Sequence, residues 1–453
     1  MPVASSPSCS NASSSAGGEH GRVGGPAKGV PGRRHSFRHG GTVPAAILLS
    51  KAAIGAGVLV MAAHSAEVGL HYQLTTLAAG AFLTWASIWM IARASIDTGR
   101  WSYEDISEEL FHPTMSFLTG AVNVCQCLGS GAGYLIACGQ VFQVAVGADE
   151  ATRRLFVLSV GTFVCAPIAL ARHVSFLRHL AAISIVALLL LLVTMLWYLG
   201  KHGLDESVTP DAFWFGPGSA SIFTYMNAMS NVVFAYNNQF IVPQLIGELT
   251  PEPTMRRVTV ASVITVVMCF VLFSSVSIFG VLAFGVGEDQ RDSLLLDLFP
   301  ERKNPLVIAS LIAVVFSVLT CFQFHVYPIR QFATFAIRKA RGRGPDAEAS
   351  DVLFCGRTCT RWLDMASALG SVAIIILIAE VTSELKTVLD FIGAFASAYT
   401  SYIVPPLWVI QILRRQENFS WQDKEAFGCL ALLSLGVFFF AFGTLSAITD
   451  AFV

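Results

Sequence analysis

Along this chain the apolar positions fall in long blocks rather than at the 3.6-residue spacing of an amphipathic helix. Eleven blocks are long enough to cross a bilayer as helices, each needing about 20 apolar residues. They begin near Pro44, Tyr72, Pro113, Leu155, Phe176, Ser219, Val258, Asn304, Trp362, Val388 and Glu425, and the last ends near Asp450. The third, from Pro113 to Val146, is long enough to predict a tilted helix. The pattern therefore predicts an all-α integral membrane protein of about eleven transmembrane helices.

Two blocks are interrupted. The first, Pro44 to Ser65, carries Lys51 and a Gly55-Ala56-Gly57 break at its centre. Each glycine weakens a helix by about 1 kcal/mol relative to alanine, and a lysine at mid-bilayer depth costs about 2.5–3.5 kcal/mol. A passive anchor needs neither. Broken backbone at that depth persists only where it is buried in protein or lines a cavity, and in transporters such helices hold the substrate and the coupling ion. The sixth block holds Asn227, Asn231, Asn237, Asn238, Gln239 and then Pro243. Bonding between helices accounts for one or two such amides. It accounts poorly for the consecutive Asn237, Asn238 and Gln239, which point in different directions around a helix, so a wet or ligand-filled cavity is expected there. Breaks five spans apart are what a five-plus-five inverted repeat predicts, and the free N–H groups at each break suit a carboxylate.

Composition agrees: the chain is 54% hydrophobic and 13% charged, about half the charge of an ordinary soluble domain. Three regions follow: a Ser- and Gly-rich disordered tail over 1–40, a ten-helix core over 44–412, and an additional helix over 425–450. Nothing before Pro44 resembles an apolar h-region, so no cleavable signal peptide is expected. With the N-terminus in the cytosol, twenty-one Lys and Arg residues fall on the cytosolic side against seven outside, Arg153 and Arg154 among the latter; the positive-inside rule selects that orientation. The sequons at Asn11 and Asn418 then face the cytosol and stay unglycosylated. No cysteine is left for a disulfide in an outer loop, and Cys355 and Cys359 read as reduced thiols, with palmitoylation or metal binding as alternatives.

Here the chain resembles a known family. Lys51-Ala-Ala-Ile-Gly-Ala-Gly-Val-Leu with Gly69 is similar to the first-span signature of the amino acid/auxin permeases, and Phe234-Ala-Tyr, Pro243 and Glu248-Leu-Thr-Pro251 to their sixth-span pattern. Tyr327-Pro-Ile-Arg330 resembles the end of the eighth span, and Gly393 with the hydroxyl-rich stretch to Pro405 the tenth. The likeness runs from Pro44 to Ile412. It implies the LeuT-type fold, an amino-acid substrate and alternating access. The chain departs from the family in having Ala62 and Ala63 where proline is common, and Asn237-Asn238-Gln239 where a Cys-His or Gly-His pair is common.

The expected substrate contacts are Ile54, Gly55, Ala56, Gly57, Val58, Tyr134, Asn231, Phe234, Tyr236, Asn237 and Asn238, with Gly57 leaving space for the carboxylate. Lys51 resembles the proton-coupled branch of the family, where a fixed ammonium takes the electrostatic place of sodium and links spans one and eight; the alternative is a lysine snorkelling to the interface. His64 and Glu67, one turn apart, either take a proton from the outer side or form an ordinary interfacial contact. His325 is expected at the packed inner end of span eight, and Asp364, Glu380, Glu384 and Asp390 are expected to face water.

The leading function is a secondary active transporter of small neutral amino acids, proton-coupled or uncoupled, in a plasma or vacuolar membrane. An amino-acid sensor and a transporter of cationic amino acids are the alternatives. No P-loop, His-rich metal pattern, nucleophile elbow or paired intramembrane carboxylate points to an enzyme. The expected partners are an amino acid, a proton and the lipid bilayer, without nucleic acid, cofactor or metal.

Overall fold

A computed structural model describes residues 41–170, 177–249, 253–286, 301, 303–342, 356–382, 384–416, 419–421 and 423–452. The tail over 1–40, Cys355 and the Asn11 and Asn418 sequons lie outside the described residues. Span one is a bent pair, Thr42–Ala53 and Ala56–Val68, whose halves meet at 50°. Span two is Leu70–Thr98, span three Pro113–Val146, span four Glu150–Leu170 and span five Leu177–His202. Span six is again in two pieces, Ile222–Ala235 and Val242–Gly247, each too short to cross alone. Span seven is Met255–Phe284, span eight Pro305–Ala340, span nine Gly356–Val381, span ten Leu385–Arg414 and span eleven Lys424–Thr449. Among the described residues nine helices are long and apolar enough to cross intact, and the bent first span makes ten. The broken sixth completes the eleven that the apolar blocks predict. Span four begins at Glu150 rather than near Leu155, so Arg153 sits in its first turns, buried and bonded to Glu150, instead of in a loop.

Side chains facing outward stay apolar along the spans, as at Phe163, Leu189, Val267, Ile312, Leu377 and Phe442. This is the surface a bilayer requires. Enclosure separates the spans: 78% of the most apolar stretch of span three is buried, against 28% for spans nine and eleven. Span three is therefore central, and those two are peripheral. Span eight packs along spans three and five, and span seven along spans one and two. The small residues of span three allow close approach, since a side chain at Gly131 or Gly133 would overlap Ile375 of span nine or Leu389 of span ten. Between helices, polar side chains pair with one another: Thr400 Oγ1 donates to Gln126 Oε1 at 3.0 Å and Trp408 Nε1 to Ser107 Oγ at 3.0 Å.

Span ten contains two π-helical turns, Gly393–Ser397 and Tyr399–Ile403. The first packs against span six. Such wide turns loosen the backbone ladder locally and recur at functional sites. A short helix, Tyr103–Leu110, joins spans two and three, and the Ser102 hydroxyl caps it by accepting the Asp105 N–H at 3.1 Å.

Candidate functional site

The break in span one opens where Gly55 leaves helical geometry (φ −115°, ψ −147°), after which Ala56–Val60 continues as a tight 3-10 stretch. Carbonyls freed by the break need donors. Span six supplies two: Asn238 Nδ2 donates to Leu49 O at 3.2 Å and Asn231 Nδ2 to Gly57 O at 3.3 Å. Cys321 of span eight approaches Lys51 O and Ile54 O with its thiol at 3.5 and 3.6 Å. The breaks in spans one and six thus face each other, and two of the five amides in span six serve to satisfy the broken partner. A third, Asn227, accepts from Ser446 Oγ at 2.7 Å.

Asn237 is different. It is buried, yet among the described residues neither amide atom has a partner, and the Oδ1 of Asn231 and Asn238 and Nε2 of Gln239 also find none. Each buried unsatisfied group costs about 1–3 kcal/mol. Such a cluster is where a bound polar ligand or water has donors and acceptors to meet.

Around the breaks, Tyr134 of span three lies against Gly55, where an added Cβ would stand 2.7 Å from its hydroxyl. Gly57 faces span six: its Cβ would fall 2.9 Å from Phe234 Cδ1 and 3.1 Å from Ala235 Cα. The space at Gly57 is thus filled by the sixth span, not left open for a carboxylate. Ile54, Ala56 and Val58 are buried alongside. Tyr236 departs from expectation, because its ring stacks edge-on against Phe273 of span seven and touches the Gly80 position of span two, away from span one.

His325 is the residue that sequence reasoning underrated. Span eight continues to Ala340, so His325 lies well inside the helix rather than at its end. Its ring meets Tyr134 edge-on at 5.1 Å and Phe240 at 4.7 Å. Nδ1 lies 3.2 Å from the Cys321 carbonyl, which can only accept, so Nδ1 carries the proton.

Lys51 is 1% exposed and does not snorkel. Its ammonium donates to Ser184 Oγ of span five and to Ser317 O of span eight at 2.6 Å, with Ser317 Oγ at 3.4 Å. These partners are all neutral. The charge ties the N-terminal half of span one to two neighbouring spans.

On the membrane face where span one ends, called the far face below, His64 and Glu67 approach each other at 3.7 Å, but His64 has a nearer partner. Asp390, expected to face water, is buried and places Oδ1 3.1 Å from His64 Nε2. Glu67 instead pairs with Lys386 Nζ at 2.6 Å. Both line a cavity of about 190 Å³ with Pro217, Ser219, Thr224 and Asn227. Asp364 approaches Arg330 at 3.5 Å; Glu380 is half-buried, and Glu384 is exposed as expected.

Two facing breaks in a helical bundle of this order define the LeuT-type fold. The chain superposes on a nucleobase-cation-symport-1 family transporter in a closed conformation with a TM-score of 0.56 at 12% identity, covering 91% of each chain. It superposes equally on a manganese transporter from Eremococcus coleocola, with a TM-score of 0.56 at 12% identity, covering 93% of this chain and 88% of that one. Sequence then gives the branch. The family described as transmembrane amino acid transporter protein matches residues 38–449, and the chain belongs to it. Relatives include vacuolar amino acid transporter 5 of Schizosaccharomyces pombe, 22% identical over 79% of this chain and 81% of that protein. Amino acid transporter AVT6B of Arabidopsis thaliana is 25% identical over 85% of each. The protein is a multi-pass membrane amino acid transporter and not an enzyme.

Proposed function

We propose that this protein is a secondary active transporter of small neutral amino acids that works by alternating access, is driven by protons rather than sodium, and resides in a vacuolar membrane with its N-terminus in the cytosol. The observation that carries the coupling is Lys51: a buried ammonium bonded to spans five and eight occupies the role of a bridging cation. Neutrality of the substrate follows from the breaks, where Ile54–Val58, Phe234–Gln239, Tyr134 and His325 offer amides, a phenol and an imidazole but no acid. A buried cationic side chain without a carboxylate costs several kcal/mol. Glu67, the nearest acid on span one, is held by Lys386 at the far face. The unpartnered Asn237 amide and the Tyr134 hydroxyl beside Gly55 are the groups that meet the substrate. The vacuolar assignment draws on the relatives named for that membrane.

One proton moved down one pH unit and 100 mV supplies about 1.4 plus 2.3 kcal/mol, enough for a gradient of several hundredfold. The test is uptake of a panel of labelled amino acids into proteoliposomes with and without a pH gradient. Uptake of small neutral amino acids that rises with the gradient and collapses with a protonophore is the expected result. Uptake that ignores the gradient but requires sodium refutes the reading.

A further inference from the structure

We propose that His64 of span one and Asp390 of span ten form the proton site of this transporter, and that the bound proton latches the far ends of these two spans together; the proposal rests on the proton-coupled reading above. His64 is 0% exposed and Asp390 2%. Residues so deeply buried and 326 positions apart in the chain meet at 3.1 Å. A carboxylate only accepts when ionised, so Nε2 of His64 carries a proton toward Asp390 Oδ1. The other ring nitrogen, Nδ1, is buried and stands 3.7 Å from Glu67 Oε2, and among the described residues neither atom has a hydrogen-bond partner. An empty acceptor aimed at a carboxylate that borders the far-face cavity is a place for one more proton.

The charges decide what that proton does. The charges that act most strongly on His64 and Asp390 are each other, Glu67 of span one and Lys386 of span ten; His71, at the start of span two, is exposed and its ring stacks on Phe215. Glu67 and Lys386 cancel as an ion pair. With His64 doubly protonated, imidazolium and Asp390 carboxylate also cancel, and the cluster is neutral. Without the proton a carboxylate is left buried against a neutral ring. An uncompensated charge in that position favours hydration, which requires the ends of spans one and ten to part. The cluster is therefore stable closed when protonated and driven open when not.

The route is short. A proton from the cavity reaches the Glu67 carboxylate, passes to Nδ1 of His64, and the imidazolium then binds Asp390 through Nε2. No atom or electron is left unbalanced, because one proton moves and the ring only changes its charge. Coupling to substrate is mechanical. His64 lies two turns beyond the Gly55–Gly57 break on the same broken helix, and the segment of span ten holding Asp390 packs against the first half of span six. Closing the latch fixes both walls of the candidate substrate site.

The test uses the full chain in proteoliposomes, labelled alanine as probe, and an imposed pH gradient of one unit. Tightly coupled wild-type protein should accumulate alanine about tenfold, since one proton through one unit is worth a factor of ten. Asp390→Asn and His64→Gln should lose that accumulation, ending near equality across the membrane. Both should keep measurable exchange of labelled for unlabelled alanine, with a rate that no longer follows pH, and Asp390→Glu should restore the pH dependence. Exchange shows that a variant is folded; where one variant fails to exchange, the other, together with alanine-driven alkalinisation reported by an external pH dye, decides the matter. Wild-type accumulation in Asp390→Asn or His64→Gln, or an unchanged pH profile of exchange, overturns the site while leaving proton coupling intact. Wild-type protein that ignores the gradient overturns the coupled reading itself.

Discussion

Replacing Gly57 by alanine is a small change with a large expected consequence. The new Cβ would stand 2.9 Å from Phe234 Cδ1 and 3.1 Å from both Cα and Cβ of Ala235. Carbon atoms prefer about 3.5–4.0 Å, so something must yield by at least half an ångström, roughly. Ala235 Cα is backbone and moves only with span six, and Phe234 is itself buried. Overpacking of this kind costs about 1–3 kcal/mol, which slows a step by about 5- to 150-fold if the strain falls on the closed state alone. Two further methyl groups in Gly57→Val should take uptake below detection without preventing insertion. The assay is initial uptake of labelled alanine into proteoliposomes at matched protein, with thermal unfolding in detergent as a check on folding. Phe234→Ala in the Gly57→Ala background should cost less than the sum of the two single changes, because it removes the atoms that collide. Normal uptake by Gly57→Ala, or strictly additive losses, would refute the claim that the two breaks close on each other at this residue.

Three other outcomes follow from the same geometry. Replacing sodium by choline at constant pH should leave uptake unchanged, because the Lys51 ammonium already bridges spans one, five and eight; a large loss would favour sodium coupling. Excess unlabelled alanine should block uptake and excess arginine should not; strong inhibition by arginine, lost in Glu67→Gln, would show that Glu67 leaves Lys386 to serve the substrate. Burial pushes the Glu104 carboxyl, on the short helix between spans two and three, up from 4.5 to about 7, and one of its oxygens has no partner among the described residues. The folded state therefore binds more protons than the unfolded one between those values. Stability from this group is complete below the unfolded value and is lost as pH rises through about 7, a swing on the order of 3 kcal/mol. Glu104→Gln should accordingly unfold at a higher temperature than wild type at pH 8 and at nearly the same temperature at pH 5; an equal difference at both would refute the assignment.

Much of this was legible in the residues alone. Span existence is a local property, since about 20 apolar residues in a row leave few alternatives to a membrane helix, and each of the eleven blocks corresponds to a span. The breaks were equally legible, because Gly55 and Gly57 beside Lys51, and Asn237 to Gln239, are locally unfavourable in hydrocarbon and need a compensating environment. What that environment consists of was not legible. Asn231 and Asn238 read as ligand groups, yet their donors close carbonyls of span one. Tyr236, next in line to its neighbours at the break, turns toward spans two and seven because one residue is about 100° of rotation on a helix. Asp390, near the start of span ten, reads as solvated by position and is buried against His64. Sequence determines which groups are costly in the membrane, because that cost belongs to each residue and its immediate neighbours. Only tertiary structure decides which group offsets which, because hydrogen bonds and ion pairs depend on contacts between spans that lie hundreds of residues apart.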